Sequence, residues 1–297
     1  MIQYSLDGQM LCPYVQKKGD NMNSFEKALY YMQATMEEPV AFGWFHWLWI
    51  IAIALAIGAL YGLRNKYSEK QLKAVLGIYG IIALILEVLK QLIWSFNYDA
   101  ATGVVTWDYQ WYAFPFQLCT TPIFVCVLCL FLKPSIGRRA LLSYMSFVTI
   151  LGSIMTVIMP DSCFTEDILI NIHTMWLHCG SLVVSVYLMI TKEVELKWYN
   201  FKNAIKVFIV FVLLAQFLNL LIYNIGVLKG ETFDMFYISP YFISTLPVFD
   251  VIQQNSPYAL FLLSYVAIVS GGAAIICYVP QAIKWIVFKL LKTKARR

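Results

Sequence analysis

The sequence predicts an all-α membrane protein of seven transmembrane helices, with its N-terminus outside and its C-terminus in the cytoplasm. Three observations carry this. The 297 residues are 60% hydrophobic and only 13% charged, against about a quarter charged in a soluble domain. Seven apolar segments of about twenty residues follow one another, each long enough to cross roughly 30 Å of hydrocarbon. The charges between them alternate: loops after the first, third, fifth and seventh segments are rich in Lys and Arg, and the others are acidic or nearly neutral. The positive-inside rule turns that alternation into an orientation.

Residues 1–43 form a polar leader without the apolar stretch of a cleavable signal peptide. Phe25, Ala28, Leu29, Met32 and Met36 recur at helical spacing, and Asn23 with Glu26 has the form of a capping box. The spacing predicts an amphipathic helix on the membrane surface or over a site beneath it. The transmembrane domain runs over residues 44–291, and residues 292–297 form a basic cytoplasmic tail. Its spans are Trp44–Leu63, Ala74–Phe96, Phe114–Leu132, Leu141–Met159, Ile168–Ile190, Val207–Leu228 and Tyr258–Tyr278, the last with room to continue to Leu291. Trp44, Trp47 and Trp49 suit an interfacial belt at the first entry, and His46 among them reads as interfacial. No internal repeat supports an inverted-repeat transporter. The net charge of +5 lies in short loops and points to no nucleic-acid partner.

Polar side chains inside such spans are costly to keep and mark functional sites. Cys119 lies about 6 Å below the start of the third span at Pro115, and His178 about 12 to 15 Å below the start of the fifth, at 1.5 Å per residue. The second span runs the other way and brings Glu87 and Lys90 to a similar depth. Asn219 and Asn224 approach it from the sixth. Gln117 and Thr120 flank the cysteine. Glu87 and Lys90, at i,i+3, also read as an ion pair holding helices together. His173 is about 140° around the helix from His178 and nearer the interface, a supporting position. Cys126 and Cys129 stand in an apolar helix without further ligands at metal spacing, which predicts packing and no metal. Of the seven cysteines, Cys12 and Cys163 fall in polar segments and pair only if both face an oxidising side. P-loop, dinucleotide-binding and zinc-protease motifs are absent.

A thiol becomes a nucleophile when an imidazole takes its proton. With lipid as the solvent, the natural electrophile is a lipid ester. Cys119 would form a thioester, and His178 would protonate the leaving alcohol and activate the next acceptor. A lysolipid acceptor gives an acyltransferase and water gives a hydrolase. The polar groups alone also fit the binding site of a receptor or transporter.

The motifs Pro115-Phe-Gln-Leu118-Cys119, Gly152…Pro160-Asp161, His178, Asn219, Asn224 and Pro257-Tyr258, in this order, resemble the YwaF-like integral membrane proteins over roughly residues 42–290. That family is related to an animal seven-helix protein that moves acyl chains onto ether lysophospholipids through a cysteine. The chain departs from it at Gln117, where the family often has histidine, and at Ile225, where an asparagine is followed by tyrosine. The resemblance implies Cys119 as nucleophile and His178 as acid/base. It implies phospholipid donors and lysophospholipid acceptors, no cofactor, no obligate protein partner, and a multi-pass place in a bacterial plasma membrane.

Overall fold

The computed structural model describes residues 22–99 and 101–294. The expected leader helix is α1, Ser24–Met32. Asn23 Oδ1 accepts the Glu26 N–H, and the Glu26 carboxylate accepts the Asn23 N–H, so both orphan donors of the first turn are satisfied. Rather than lying apart on a surface, α1 packs Leu29 against Ile93 and Phe96 at the end of the second long helix. Beyond it, Gln33 Nε2 donates to the carbonyls of Ile93 and Phe96 at 2.9 and 2.8 Å, and Thr35 bridges Asp167. Cys12 falls outside the described residues, as does any pairing of it with Cys163.

Among the described residues, six helices are long and apolar enough to cross a membrane. They are α2 (Trp44–Leu63), α3 (Glu69–Ser95), the composite of α5 (Ile136–Tyr144) and α6 (Ile150–Ile158), α7 (Ile168–Ile190), α8 (Trp198–Asn224) and, after the short α9 (Phe249–Asn255), the start of α10 (Tyr258–Lys294). The second and sixth of the seven expected spans, α3 and α8, start earlier than hydropathy predicts. Ser68 caps α3 by accepting the Gln71 N–H, and α8 runs from Trp198 through Lys202 and Lys206, whose stems can extend toward water. The segment Asn97–Tyr112, read as a loop, holds a hairpin of β1 (Phe96–Asp99) and β2 (Val104–Trp107).

The third expected span is different. It is an 11-residue helix, α4 (Thr121–Phe131), preceded by a non-helical stretch from Phe114 to Thr120. At 1.5 Å per residue it is about 17 Å long and cannot cross alone. Pro115 and Pro122 remove two backbone donors here, and the side chains of Thr120 and Thr121 bond back to Gln117 and Leu118. The fourth span is interrupted by a π-helical turn, Met145–Thr149, all five residues buried. The Met145 carbonyl there accepts Thr149 Oγ1 at 3.0 Å and, from α7, Ser185 Oγ at 2.9 Å.

Small residues let the helices meet closely. A Cβ on Gly180 would stand 2.5 Å from the Tyr79 ring, and one on Gly80 would stand 2.9 Å from Cys126 Cβ. Cys126 and Cys129 are fully buried in this packing, with Cys126 Sγ 3.3 Å from Met145 Sδ. His46 is fully buried by protein: its Nδ1 accepts the Phe42 N–H at 2.9 Å, which leaves the proton on Nε2 to donate to the Val157 carbonyl at 3.0 Å.

Candidate functional site

The loop after α8 does not stay at the surface. Phe233, Met235, Phe236, Ile238 and Ser239 are fully buried, and the non-helical stretch before α4 runs against them. Phe114 meets Phe233 at 5.4 Å between ring centroids, and Phe116 stacks on Phe236 at 5.7 Å. Irregular backbone inside a membrane protein must find partners within the protein. Two carboxamides supply them. Gln117 Nε2 donates to the Asp234 carbonyl at 2.9 Å, and its Oε1 accepts the Phe236 N–H at 2.8 Å. Asn219 Nδ2 donates to the Met235 carbonyl at 3.0 Å, and its Oδ1 accepts the Met235 N–H at 2.7 Å. Each amide thus acts as a short strand against residues 234–236. The clamp holds Phe236 and Tyr237 at φ of 61° and 58°, a region that bulky residues rarely occupy. Glu231 Oε2 adds a bond from the Trp111 N–H at 2.8 Å. Inside this loop, burial raises the Asp234 carboxyl to about 7.

Beside the clamp lies a charged network. Lys90 Nζ is 2.7 Å from Glu87 Oε1, and His173 Nε2 is 2.8 Å from Glu87 Oε2. Gln91 Nε2 donates to Glu87 Oε1 at 2.8 Å and to the Ala113 carbonyl at 2.6 Å. Glu87, Lys90 and His173 are all at least nine-tenths buried. A carboxylate only accepts, so His173 Nε2 carries its proton toward Glu87. His173, expected in a supporting position, is thus a direct member of this network. Sequence reasoning passed over Gln91. Its spacing of four residues from Glu87 was the available signal, because i,i+4 positions share a helix face.

Cys119 occupies the turn between Gln117 and Thr121, where Thr120 Oγ1 both accepts the Gln117 N–H and donates to the Gln117 carbonyl at 2.9 Å. The charges of Lys90 and Glu87 reach its sulfur. Tyr79, Tyr144, Tyr237 and Tyr265 stand around it within electrostatic range. The thiol is enclosed by protein yet keeps accessible surface. His178 is likewise enclosed and partly accessible. Among the described residues, no hydrogen bond joins Cys119 to His178. Tyr79 touches both neighbourhoods: its hydroxyl donates to the Leu177 carbonyl at 3.0 Å and its ring lies on Gly180, while Cys119 lies within its electrostatic range. Asn224 does not join the group. It ends α8, exposed, with its Nδ2 bonded to Leu220 O and the Tyr241 hydroxyl.

The arrangement therefore offers a thiol in a break of the helical bundle, an imidazole without a hydrogen-bonded partner among the described residues, and a carboxylate holding a lysine and a second imidazole. Residues 41–277 match the model of the TMEM164 family, a family of transmembrane proteins. No curated protein and no solved structure matches the chain.

Proposed function

The chain belongs to the TMEM164 family, and from that premise we propose that it is a membrane-embedded acyltransferase moving a fatty acyl chain between phospholipids through a thioester on Cys119. The observation that supports this reading is the placement of Cys119: enclosed yet accessible, in non-helical backbone, within reach of the Glu87 and Lys90 charges.

In the first half-reaction His178 takes the thiol proton while Cys119 Sγ attacks the ester carbonyl of a donor phospholipid. The tetrahedral intermediate collapses with cleavage of the acyl C–O bond. The proton passes from His178 to the leaving lysophospholipid oxygen. In the second half, the hydroxyl of an acceptor lysophospholipid gives its proton to His178 and attacks the thioester carbonyl. The C–S bond breaks and the sulfur recovers the proton. No external oxidant, metal or cofactor enters the balance. Cys119 and His178 draw into hydrogen-bond distance when lipid fills the space between them, since such bonds are often long in empty sites. Glu87 fixes His173 and Lys90 beside the reacting centre, and Gln117, Thr120 and Asn219 hold the turn that carries the thiol. The same sequence with water as acceptor makes a lipid ester hydrolase. In this reading the protein sits in a bacterial plasma membrane with the site opening to the outer leaflet, a reading that the resemblance to YwaF-like proteins supports.

The test is acyl exchange in proteoliposomes containing a deuterated-acyl phosphatidylcholine and unlabelled lysophospholipid. Labelled chain should appear in new diacyl lipid with the wild type and fall at least a hundredfold with Cys119→Ser and His178→Ala, because general-base catalysis alone contributes about 10²–10⁴. Label appearing only as free fatty acid assigns the hydrolase. No turnover of any ester by the wild type contradicts both.

A further inference from the structure

The last helix, α10, is longer than a membrane crossing requires. Its 37 residues run for about 55 Å at 1.5 Å each, against roughly 30 Å of hydrocarbon. The level at which it leaves the bundle is marked by aromatic rings. Tyr278 meets Phe201 at 6.0 Å between centroids, and Phe201 stacks at 5.4 Å on Trp198, the residue that opens α8. These rings suit an interfacial belt at the basic end of the bundle. Cys277 is the last buried position of α10 among the described side chains, and from Gln281 to Lys289 every one is exposed. The helix therefore runs on past the start of α8 with no neighbour against residues 281–289. Pro280 lies inside the helix at this exit. It has no amide to bond the Ile276 carbonyl, which makes it the natural place for a turn.

What lies beyond the exit is both apolar and basic. Ile283, Ile286 and Val287 are each about half exposed and share one helix face, and the sequence repeats that spacing with Leu290 and Leu291. The stripe continues the exposed apolar surface that α10 presents higher up, at Leu263, Ile268 and Ile275. Lys284 and Lys289 stand about 100° to either side of it. Lys289 Nζ lies 4.0 Å over the exposed Trp285 ring. Lys292, Lys294, Arg296 and Arg297 follow, and the sequence has no Asp or Glu after Asp250. The apolar stripe gains by leaving water, while the lysines keep the segment out of the hydrocarbon. A second copy of this helix would set like charges against each other. An anionic lipid surface accepts both parts, because the stripe enters the acyl boundary and the lysine stems extend to the lipid phosphates.

We propose that the end of α10 turns at Pro280 and binds the anionic lipid surface at the basic end of the bundle, with Ile283, Ile286 and Val287 toward the acyl chains and Lys284 and Lys289 among the headgroups. This surface lies apart from Cys119 and stands or falls independently of the acyl-transfer reading.

The test is tryptic cleavage of the full chain in nanodiscs of phosphatidylcholine alone or mixed with phosphatidylglycerol. Cutting after Lys284 and Lys289 is read by mass spectrometry relative to cutting after Lys197, an exposed lysine at the same end of the bundle. Each lysine near an anionic surface is worth roughly fivefold in affinity, so phosphatidylglycerol should slow the relative cutting about tenfold or more. Raising the salt to about 0.5 M should restore it by screening. The double variant Ile286→Ser, Val287→Ser leaves the trypsin sites in place and should restore cutting at low salt. Its thermal unfolding in detergent should match the wild type, since both side chains are exposed. Equal relative cutting in the two lipids overturns the proposal, as does protection that survives both high salt and the double variant. Protection that appears only with two copies per nanodisc, whatever the lipid, assigns the face to a second copy and overturns it as well.

Discussion

The two ends of the bundle handle buried polar groups in opposite ways. Near the hairpin, irregular backbone and three ionisable side chains are gathered, and almost every group finds a partner inside the chain. Gln117 and Asn219 each use both ends of their amides, and Glu87 accepts from three residues. Gln91 Oε1 is the one atom of that network among the buried unpaired side-chain atoms. At the basic end the ion pairs are more exposed, yet four well-buried residues keep an unpaired atom. The first region is self-satisfied, so its polar groups hold a shape. The second leaves some of them unpaired. Removing a partner should therefore be expensive in the first region and cheap in the second.

The largest break is Glu87→Leu. It leaves Lys90 buried without its carboxylate, and losing one partner of a buried pair costs about 3–5 kcal/mol. Thermal unfolding should show it, and Glu87→Leu with Lys90→Met should recover most of the loss, since an apolar pair of similar volume is tolerated. Asn219→Leu comes next. It strands the N–H and C=O of Met235 at about 1–3 kcal/mol each, and limited proteolysis should then cut between 229 and 248. Gly180→Ala drives a methyl into the Tyr79 ring and should cost about 1–3 kcal/mol by overpacking. At the other end, Tyr187→Phe should change lipid-free stability by no more than about 0.5 kcal/mol. A Tyr187→Phe as damaging as Asn219→Leu would erase the contrast.

One group sharpens the comparison through pH. The Asp234 carboxyl is held near 7 by burial, above its ordinary value of 3.8. Its protonated form is the one the fold prefers. That preference is fully present below about 4, declines as pH rises, and is gone above about 7. Stability should therefore fall between about pH 4 and 7 by an amount that Asp234→Asn removes, read as the difference between the two unfolding profiles.

Much of this was legible in the sequence. The long apolar segments and the Asn23–Glu26 cap follow from local pattern, and the Glu87–Lys90 pair follows from helical spacing. The shortening of the third span was legible only in part: Pro115 and Pro122 were in view, but the loop that partners the broken helix lies far along the chain. Gln117 holds a loop 117 to 119 residues away, and hydropathy is blind to a glutamine that serves as backbone. His173 was given only a supporting position because helix-face arithmetic compared it with His178 and not with Glu87 on another helix. His46 was assigned by its tryptophan neighbours, whereas its partners are the Phe42 N–H and a carbonyl 111 residues on. Local periodicity reports which face is apolar; it does not report which polar group will find which partner.

The central claim is that Cys119 carries the acyl group, and the mass of its peptide tests that most directly. Protein incubated with phospholipid, with lysophospholipid withheld, should accumulate a fatty-acyl adduct on the Cys119 peptide. The adduct should be lost on hydroxylamine treatment and be absent in Cys119→Ser. An unmodified Cys119 peptide during demonstrable acyl transfer would contradict the account.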